Sequence, residues 1–289
     1  MGYLLILLNN GLGCIGTVCR KGFLRRSLQV RSALDIYVLL AHPIAAMYFL
    51  LLSGGNVPLN GPSAVFALVY AALCLVSVIF SMTAISRVNL VYTSVFSDAG
   101  GVVFPFLFDM LILEKPFVLT RFLAVLVRLF AIAVPLLTNK EDRKNLMICV
   151  MLFFITGASS LMPKLYGAYP GVVSDSSYCF WTNIFILPIS AVAVLRKNSW
   201  RNVAADMKKL SVVSYVCLFA STACANLGSL LTIQILRMVD TTVHVLISGS
   251  VGMLITVLLS TLVYKEKFTA RTAVSVVCSV TALVLGVIG

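Results

Sequence analysis

The sequence is a succession of long apolar stretches separated by short polar connectors. Runs of about 20 apolar residues, bounded by charge, glycine or proline, predict ten helices. Their predicted bounds are 3–19, 34–53, 63–86, 88–113, 117–137, 145–166, 176–195, 211–236, 239–264 and 270–288. A helix of this length crosses about 30 Å of hydrocarbon. The pattern therefore predicts an all-α, polytopic membrane protein with about ten transmembrane helices.

The composition supports a lipid environment. Of the 289 residues, 60% are hydrophobic and 11% are charged, a balance that does not supply a polar shell for a water-soluble core. No polar segment is long enough for a soluble catalytic domain, so any function has to be carried out within or between the helices. We expect a multi-pass protein of the cell (inner) membrane. The eight cysteines are scattered without a CxxC pair, which predicts no metal site, and no cofactor motif is present.

The basic residues are concentrated in alternate connectors. The formal net charge is +12, yet seventeen of the 22 Lys and Arg residues lie in the first, third, fifth, seventh and ninth connectors. The positive-inside rule places those connectors in the cytoplasm and both termini outside. This distribution reflects membrane orientation better than nucleic-acid binding, so we expect no nucleic-acid partner.

The second half of the chain repeats part of the first half at an offset of 152 residues. The segment that begins at Val91 aligns with the segment that begins at Val243. The aligned pairs are Gly100 with Gly252, Glu114 with Glu266, Lys115 with Lys267 and Thr120 with Thr272. Because five spans precede the repeat, the two copies would insert in opposite orientations. The sequence thus predicts two inverted five-helix repeats, residues 1–139 and 140–289.

A charged corner after an apolar helix occurs once in each half. The second copy reads Tyr264-Lys265-Glu266-Lys267-Phe268-Thr269 and is followed by a last helix rich in small residues; the first copy reads Leu113-Glu114-Lys115-Pro116-Phe117. With these motifs the chain resembles the drug/metabolite transporter superfamily, in particular its EamA-like ten-helix members. The resemblance implies a central cavity lined by the first, third and fourth helices of each half. It also implies cytoplasmic termini, whereas the distribution of basic residues predicts that both termini lie outside.

Asp98 is the leading candidate for a functional charge inside the membrane. A charge at mid-bilayer costs roughly 2.5 to 3.5 kcal/mol on insertion scales, so a persistent one is expected to face a cavity or a partner. Asp98 lies near the middle of the fourth predicted span, on one face with Ser94, Gly101 and Asp109. One interpretation is a carboxylate that binds substrate or carries a proton. The other is an ion pair with Arg128 on the adjoining helix.

His244 is the second candidate. It lies one helical turn from Asp240 and one turn from Ser248, and it aligns with Tyr92 in the repeat. A neutral imidazole there could bind a polar substrate or take part in proton coupling, although a histidine near a helix end also commonly forms interfacial hydrogen bonds. Together with polar residues of other spans, we predict a substrate site composed of Asn10, Tyr92, Asp98, Ser160, Trp181, Asn226, His244 and Ser248. Each of these could instead stabilise a contact between helices.

The sequence therefore predicts a secondary transporter of a small polar metabolite, such as an amino acid, an amine or a sugar-like molecule. Two rocking halves would give alternating access to a midplane site, driven by a coupled proton or a counter-substrate, in a monomer or homodimer. The alternatives are an intramembrane enzyme and a lipid-linked substrate flippase subunit. An enzyme is not expected, because only fragments of the aspartyl and Ser/His intramembrane protease motifs are present.

Overall fold

A computed structural model describes residues 2–27, 30, 32–88, 90–112, 117–138, 143–197, 200–239, 241–264 and 270–288. Across these ranges the secondary structure is α-helical, without strands. The helices are α1 (Gly2–Arg26), α2 (Ala33–Leu52), α3 (Gly61–Arg87), α4 (Leu90–Leu111), α5 (Leu119–Thr138), α6 (Arg143–Ala168), α7 (Asp175–Lys197), α8 (Trp200–Met207), α9 (Val212–Met238), α10 (Thr241–Tyr264) and α11 (Ala270–Ile288).

Each of the ten predicted spans overlaps one of the helices of 19 to 27 residues. Two local features differ from the prediction. Helix α1 continues to Arg26, beyond the predicted end at residue 19, so that Arg20 is helical. The connector predicted after residue 195 contains the eight-residue helix α8.

Four helical segments in the described part of the chain are long and apolar enough to cross a membrane. They are Ala33–Leu52, Gly61–Arg87, Met147–Ala168 and Val212–Met238. Two shorter apolar segments lie in α10 and α11. Together with the mean hydropathy of +1.04, these helices identify a membrane-associated protein.

Helices α3 and α9 begin and end in the same way. Each has 27 residues, and α9 begins 151 residues after α3. The side chain of Asn60 accepts a hydrogen bond from the backbone N–H of Ser63, and Ser211 accepts one from Ser214 in the same way. These caps satisfy backbone donors that the first helical turn leaves without partners. Both helices end at a valine in extended conformation.

The contacts between α1–α5 and five later long helices are symmetric. When α1–α5 are matched in order with α6, α7, α9, α10 and α11, every extensive contact has a counterpart. The contact of α1 with α9 corresponds to that of α6 with α3, and the contact of α4 with α6 corresponds to that of α10 with α1. The pairs α2 with α7, α4 with α10 and α5 with α11 are their own counterparts.

The aligned glycines Gly100 and Gly252 lie at two of these equivalent contacts. A Cβ atom on Gly100 in α4 would lie 2.1 Å from the backbone oxygen of Phe153 in α6. A Cβ atom on Gly252 in α10 would lie 3.3 Å from the side-chain oxygen of Asn10 in α1. The absence of a side chain therefore lets the two helices of each pair approach closely.

Polar contacts also fix the connectors. Asn60 donates from Nδ2 to the backbone oxygen of Gly171 at 2.6 Å. At the short helix α8, the Ser32 hydroxyl donates to the Asp206 carboxylate at 2.6 Å, and Lys209 donates to the same carboxylate at 2.8 Å. The hydrogen bonds from Lys209 and Ser32 hold the pKa of Asp206 below its ordinary value.

The contact at Gly100 predicts a large difference between two Gly→Ala substitutions. Gly100→Ala forces a methyl group against the backbone of α6, and overpacking of this kind costs about 1–3 kcal/mol or more. We expect a clear loss of folded protein and a lower melting temperature in detergent. Gly11→Ala on α1 is the control, because no atom lies within 4 Å of its added Cβ. Equal melting temperatures for the two variants would contradict the close packing of α4 on α6.

Candidate functional site

A central cavity of about 450 Å³ lies among six helices. Three of them, α1, α3 and α4, come from the first five helices, and three, α6, α9 and α10, from the later ones. Its lining residues are Asn9, Asn10, Gly13, Cys14, Thr17, Tyr70, Ser97, Asp98, Gly101, Thr156, Ser159, Ser160, Pro163, Thr232, Leu236, His244, Val245, Ser248, Gly249 and Gly252. The volume is in the range of small-molecule sites.

Oxygen acceptors are numerous on the wall of the central cavity, because the hydroxyls of Thr17, Ser159, Ser160 and Thr232 already donate their single hydrogens to backbone oxygens. Asn9 and Asn10 use one Nδ2 hydrogen each and keep the other. Asn10 donates from Nδ2 to the backbone oxygen of Ile6 at 2.8 Å, and the Ser159 hydroxyl donates to that of Ile155 at 2.8 Å. Asn9 donates to the Thr232 hydroxyl oxygen at 3.0 Å. Hydroxyl and amide oxygens keep lone pairs after donation. The wall is therefore suited to a ligand that carries N–H or O–H groups.

Five of the eight predicted site residues line this cavity. They are Asn10, Asp98, Ser160, His244 and Ser248. The cavity thus brings together polar groups from α1, α4, α6 and α10, which are far apart in sequence. His244 is buried, and its Nδ1 lies 3.4 Å from the Ser248 hydroxyl oxygen.

Of the other three predicted residues, Trp181 and Asn226 lie elsewhere. The side chain of Tyr92 is outside the described residues. Trp181 donates from its indole nitrogen to the backbone oxygen of Val57 at 3.0 Å, and its ring packs against Phe180 and Phe185. Asn226 lies on a second, smaller cavity. Trp181 therefore joins the α2–α3 connector to α7, a contact that sequence reasoning did not distinguish from ligand binding.

The structure does not describe the groups predicted to pair with Asp98 and His244. The side chain of Arg128 and all of Asp240 lie outside the described part, so the two interpretations of Asp98 stay open. What the structure does describe is that Asp98 borders the central cavity and has contacts of its own.

The second cavity, here called the inner cavity, has a volume of about 130 Å³. It lies among α1, α2, α3, α7 and α9, and its polar lining comprises Arg20, Tyr37, His42, Tyr70, Thr182, Asn183, Thr222, Asn226 and Ser229. A connecting cavity of about 330 Å³ shares Asn9 and Thr232 with the central cavity and Arg20 and Ser229 with the inner cavity. Tyr70 lines all three. The three spaces therefore follow one another along the inside of the bundle.

Of the polar residues on the inner cavity, sequence reasoning had selected Asn226 and had missed Arg20 and His42. Arg20 was assigned to a connector, whereas it lies in α1 and lines both smaller cavities. His42 was not singled out, although it is a polar residue inside an apolar span and the same argument that selected Asp98 applies to it. A polar residue inside an apolar span was therefore the sequence signal that could have identified His42.

A buried ion pair joins α4 to α6. Lys164 contacts the Asp109 carboxylate, and the two side chains are 11% and 6% exposed. The Lys164 ammonium also lies 5.6 Å from the centre of the Phe108 ring, within the range of a cation–π interaction. Sequence reasoning had placed Asp109 on the polar face of α4 and had not paired it with Lys164. Their pairing depends on how α4 and α6 pack, which neither helix reveals alone.

Comparison with known proteins gives a fold likeness and no identity. No protein-family model matches the chain, and no curated protein matches it. Among the 27 chains of solved structures that match, one described only as "Crystal structure of protein" aligns over 99% of this chain and 96% of its own. The TM-score is 0.64 and the sequence identity is 12%. At that identity the likeness concerns the fold alone.

The Lys164–Asp109 pair predicts a strong dependence on charge balance. Lys164→Met leaves a buried carboxylate without its cation, and breaking such a pair costs about 3–5 kcal/mol. We expect a large fall in melting temperature in detergent, most of which the double variant Lys164→Met/Asp109→Asn recovers. Arg237→Met is the control, because Arg237 is 54% exposed in its pair with Asp175 and exposed pairs contribute about 0–1 kcal/mol. A Lys164→Met variant as stable as Arg237→Met would contradict the pairing.

Proposed function

We propose that this chain is a secondary transporter of a small polar metabolite in the cell (inner) membrane. The observation that carries the proposal is the central cavity, which six helices from both parts of the chain enclose and on which five predicted polar residues lie. A purely structural bundle has no need of such a space, because empty volume forfeits packing contacts. The absence of an ATP-binding motif in the sequence favours a proton, a counter-substrate or the substrate gradient as the driving force.

In this proposal the chain consists of two inverted five-helix repeats, 1–139 and 140–289, with ten transmembrane helices. Three observations support the repeats. The helix contacts of the two parts correspond, α3 and α9 have equal lengths and matching caps, and Gly100 and Gly252 lie at equivalent helix crossings. Two like halves around one cavity are the arrangement that alternating access uses.

We further propose membership of the drug/metabolite transporter superfamily, close to its EamA-like members. The central cavity supports this, because its walls are the first, third and fourth long helices of each part, as the resemblance implies. The proposal extends to an amino acid, amine or sugar-like substrate, since the wall of oxygen acceptors suits a ligand with N–H or O–H groups.

The central cavity can be tested by filling it. Gly13 lines the cavity and has no atom within 4 Å of an added Cβ, so Gly13→Leu places a side chain in open space. Gly11 lies two residues earlier on α1, is equally uncrowded, and is not among the lining residues. We expect Gly13→Leu to reduce transport at least tenfold, while Gly11→Leu transports normally and both variants keep the wild-type melting temperature.

The measurement is counterflow in liposomes that contain the purified protein, with panels of radiolabelled amino acids, amines and sugars as probes. Saturable exchange that Gly13→Leu removes supports the proposal. Exchange that is equal in the two leucine variants would overturn the assignment of the route. Chemical conversion of a probe without net movement would favour the intramembrane enzyme instead.

Asp98→Asn separates the two interpretations of that carboxylate in the same assay. If Asp98 carries the coupled proton, the variant folds normally and its exchange no longer depends on pH. If Asp98 is held by Arg128, expression falls, and changing Arg128 to a neutral residue as well restores it. The yield of folded protein, measured by size-exclusion chromatography, distinguishes the two outcomes.

A further inference from the structure

The inner cavity contains three buried polar atoms without a hydrogen-bond partner in the described part of the chain. They are Nε of Arg20, Nε2 of His42 and the hydroxyl oxygen of Thr222, and all three residues line this one cavity. The His42 and Thr222 side chains belong to residues that are only 8% and 3% exposed. Buried polar groups are normally paired, and leaving one unpaired is costly in an apolar surrounding. Three residues with such atoms on the wall of one cavity indicate a place for a polar ligand.

The hydrogen-bonding roles of these atoms follow from their neighbours. Asn183 donates from Nδ2 to the backbone oxygen of Cys179 at 2.8 Å, so that its Oδ1 faces Nδ1 of His42 at 2.9 Å. Since Oδ1 only accepts, Nδ1 of His42 carries a proton, and in the neutral ring Nε2 is an acceptor. Nε of Arg20 is a donor on a group that stays charged. The cavity thus presents a cationic donor and a neutral acceptor.

We propose that the inner cavity binds the carboxylate of a small α-hydroxy or α-amino acid. The guanidinium of Arg20 and the hydroxyl of Thr222 donate to the carboxylate, and Nε2 of His42 accepts from the neighbouring hydroxyl or ammonium group. Charge-assisted hydrogen bonds of this kind are about twice as strong as neutral ones. One ligand then satisfies all three atoms.

The charge and the size of the cavity favour a carboxylate over a phosphate. Among the described residues on its wall, Arg20 is the one Lys or Arg, and one guanidinium balances a monoanion. A phosphate group near pH 7 carries about −1.5 to −2 charges and would remain under-compensated. The volume of about 130 Å³ exceeds the roughly 30 Å³ that one water occupies in the liquid, which leaves room for a group of a few heavy atoms.

Arg20 also lines the connecting cavity that leads from the inner cavity to the central cavity. As part of a transport route, this site therefore rests on the proposed function. As a binding site it does not. Purified protein can therefore test it without any transport measurement.

The test is a thermal shift of the purified full-length chain in detergent with three matched probes: L-lactate, its uncharged amide lactamide, and propionate, which lacks the hydroxyl group. A ligand that binds the folded state raises its melting temperature. We expect lactate to act at the lowest concentration. Propionate should need a several-fold higher concentration, and lactamide at least a tenfold higher one.

Two variants on α1 locate the effect. Arg20→Gln removes the buried donor and should raise the half-saturating concentration of lactate at least tenfold. Arg25→Gln removes the same charge from an exposed position on the same helix and should leave it unchanged. Thr222→Val provides a second route should Arg20→Gln fold poorly. It deletes an unpaired hydroxyl, so the free protein should be at least as stable while lactate binding weakens several-fold.

Several outcomes would overturn the assignment. Equal lactate responses in Arg20→Gln and Arg25→Gln would do so, and so would equal responses to lactate and lactamide. A wild-type protein that responds to no probe would mean that water fills the cavity. Inorganic phosphate that acts through Arg20 at a lower concentration than lactate would also contradict the assignment. The two proposals fail separately. Lactate binding through Arg20 without counterflow contradicts transport alone, whereas counterflow that is unchanged in Arg20→Gln, together with no lactate binding, contradicts this site alone.

Discussion

In a bundle of apolar helices, each polar side chain has to find its hydrogen-bond partner on its own helix, on a neighbouring helix, or in an enclosed space that holds a ligand or water. Many polar groups in the described helices follow the first two routes. Ser159 donates to its own helix backbone, Asn9 reaches Thr232 on another helix, and Lys164 meets Asp109. The buried atoms that remain include those of Arg20, His42 and Thr222, whose residues line the inner cavity. The polar groups thus divide between helix contacts and cavity walls, and some, such as Asn9, belong to both.

Close approach of helices makes this division possible. Where α4 meets α6, Gly100 brings the helix backbones together, and the Thr156 hydroxyl lies 3.1 Å from the backbone oxygen of Ser97. Where α10 meets α1, the thiol of Cys14 lies 3.5 Å from the backbone oxygen of Gly252. Tight crossings of this kind leave no room for a ligand. The central cavity lies beside them, lined in part by the same residues.

The sequence predicted the positions of the long helices well, because the extent of an apolar run indicates the extent of the helix. It missed α8, which is short and half exposed, since eight residues between basic connectors carry no apolar run. The site was harder to predict. A polar residue on a helix is visible in the sequence, but the direction of its side chain depends on the rotation of the packed helix. For that reason Asn10 and Trp181 looked equivalent, although one lines the central cavity and the other binds a backbone oxygen in a connector.

The distribution of donors and acceptors gives the cavities different chemical preferences. The central cavity offers many hydroxyl oxygen acceptors, whereas the inner cavity has the unpaired N–H of Arg20. An uncharged sugar-like molecule would interact well with the first and poorly with the guanidinium of the second. A molecule with both an ammonium and a carboxylate group has a complementary partner in each. Under the proposed transport function, a route through the connecting cavity, which borders both, would favour an amino acid among the substrate classes proposed for the central cavity.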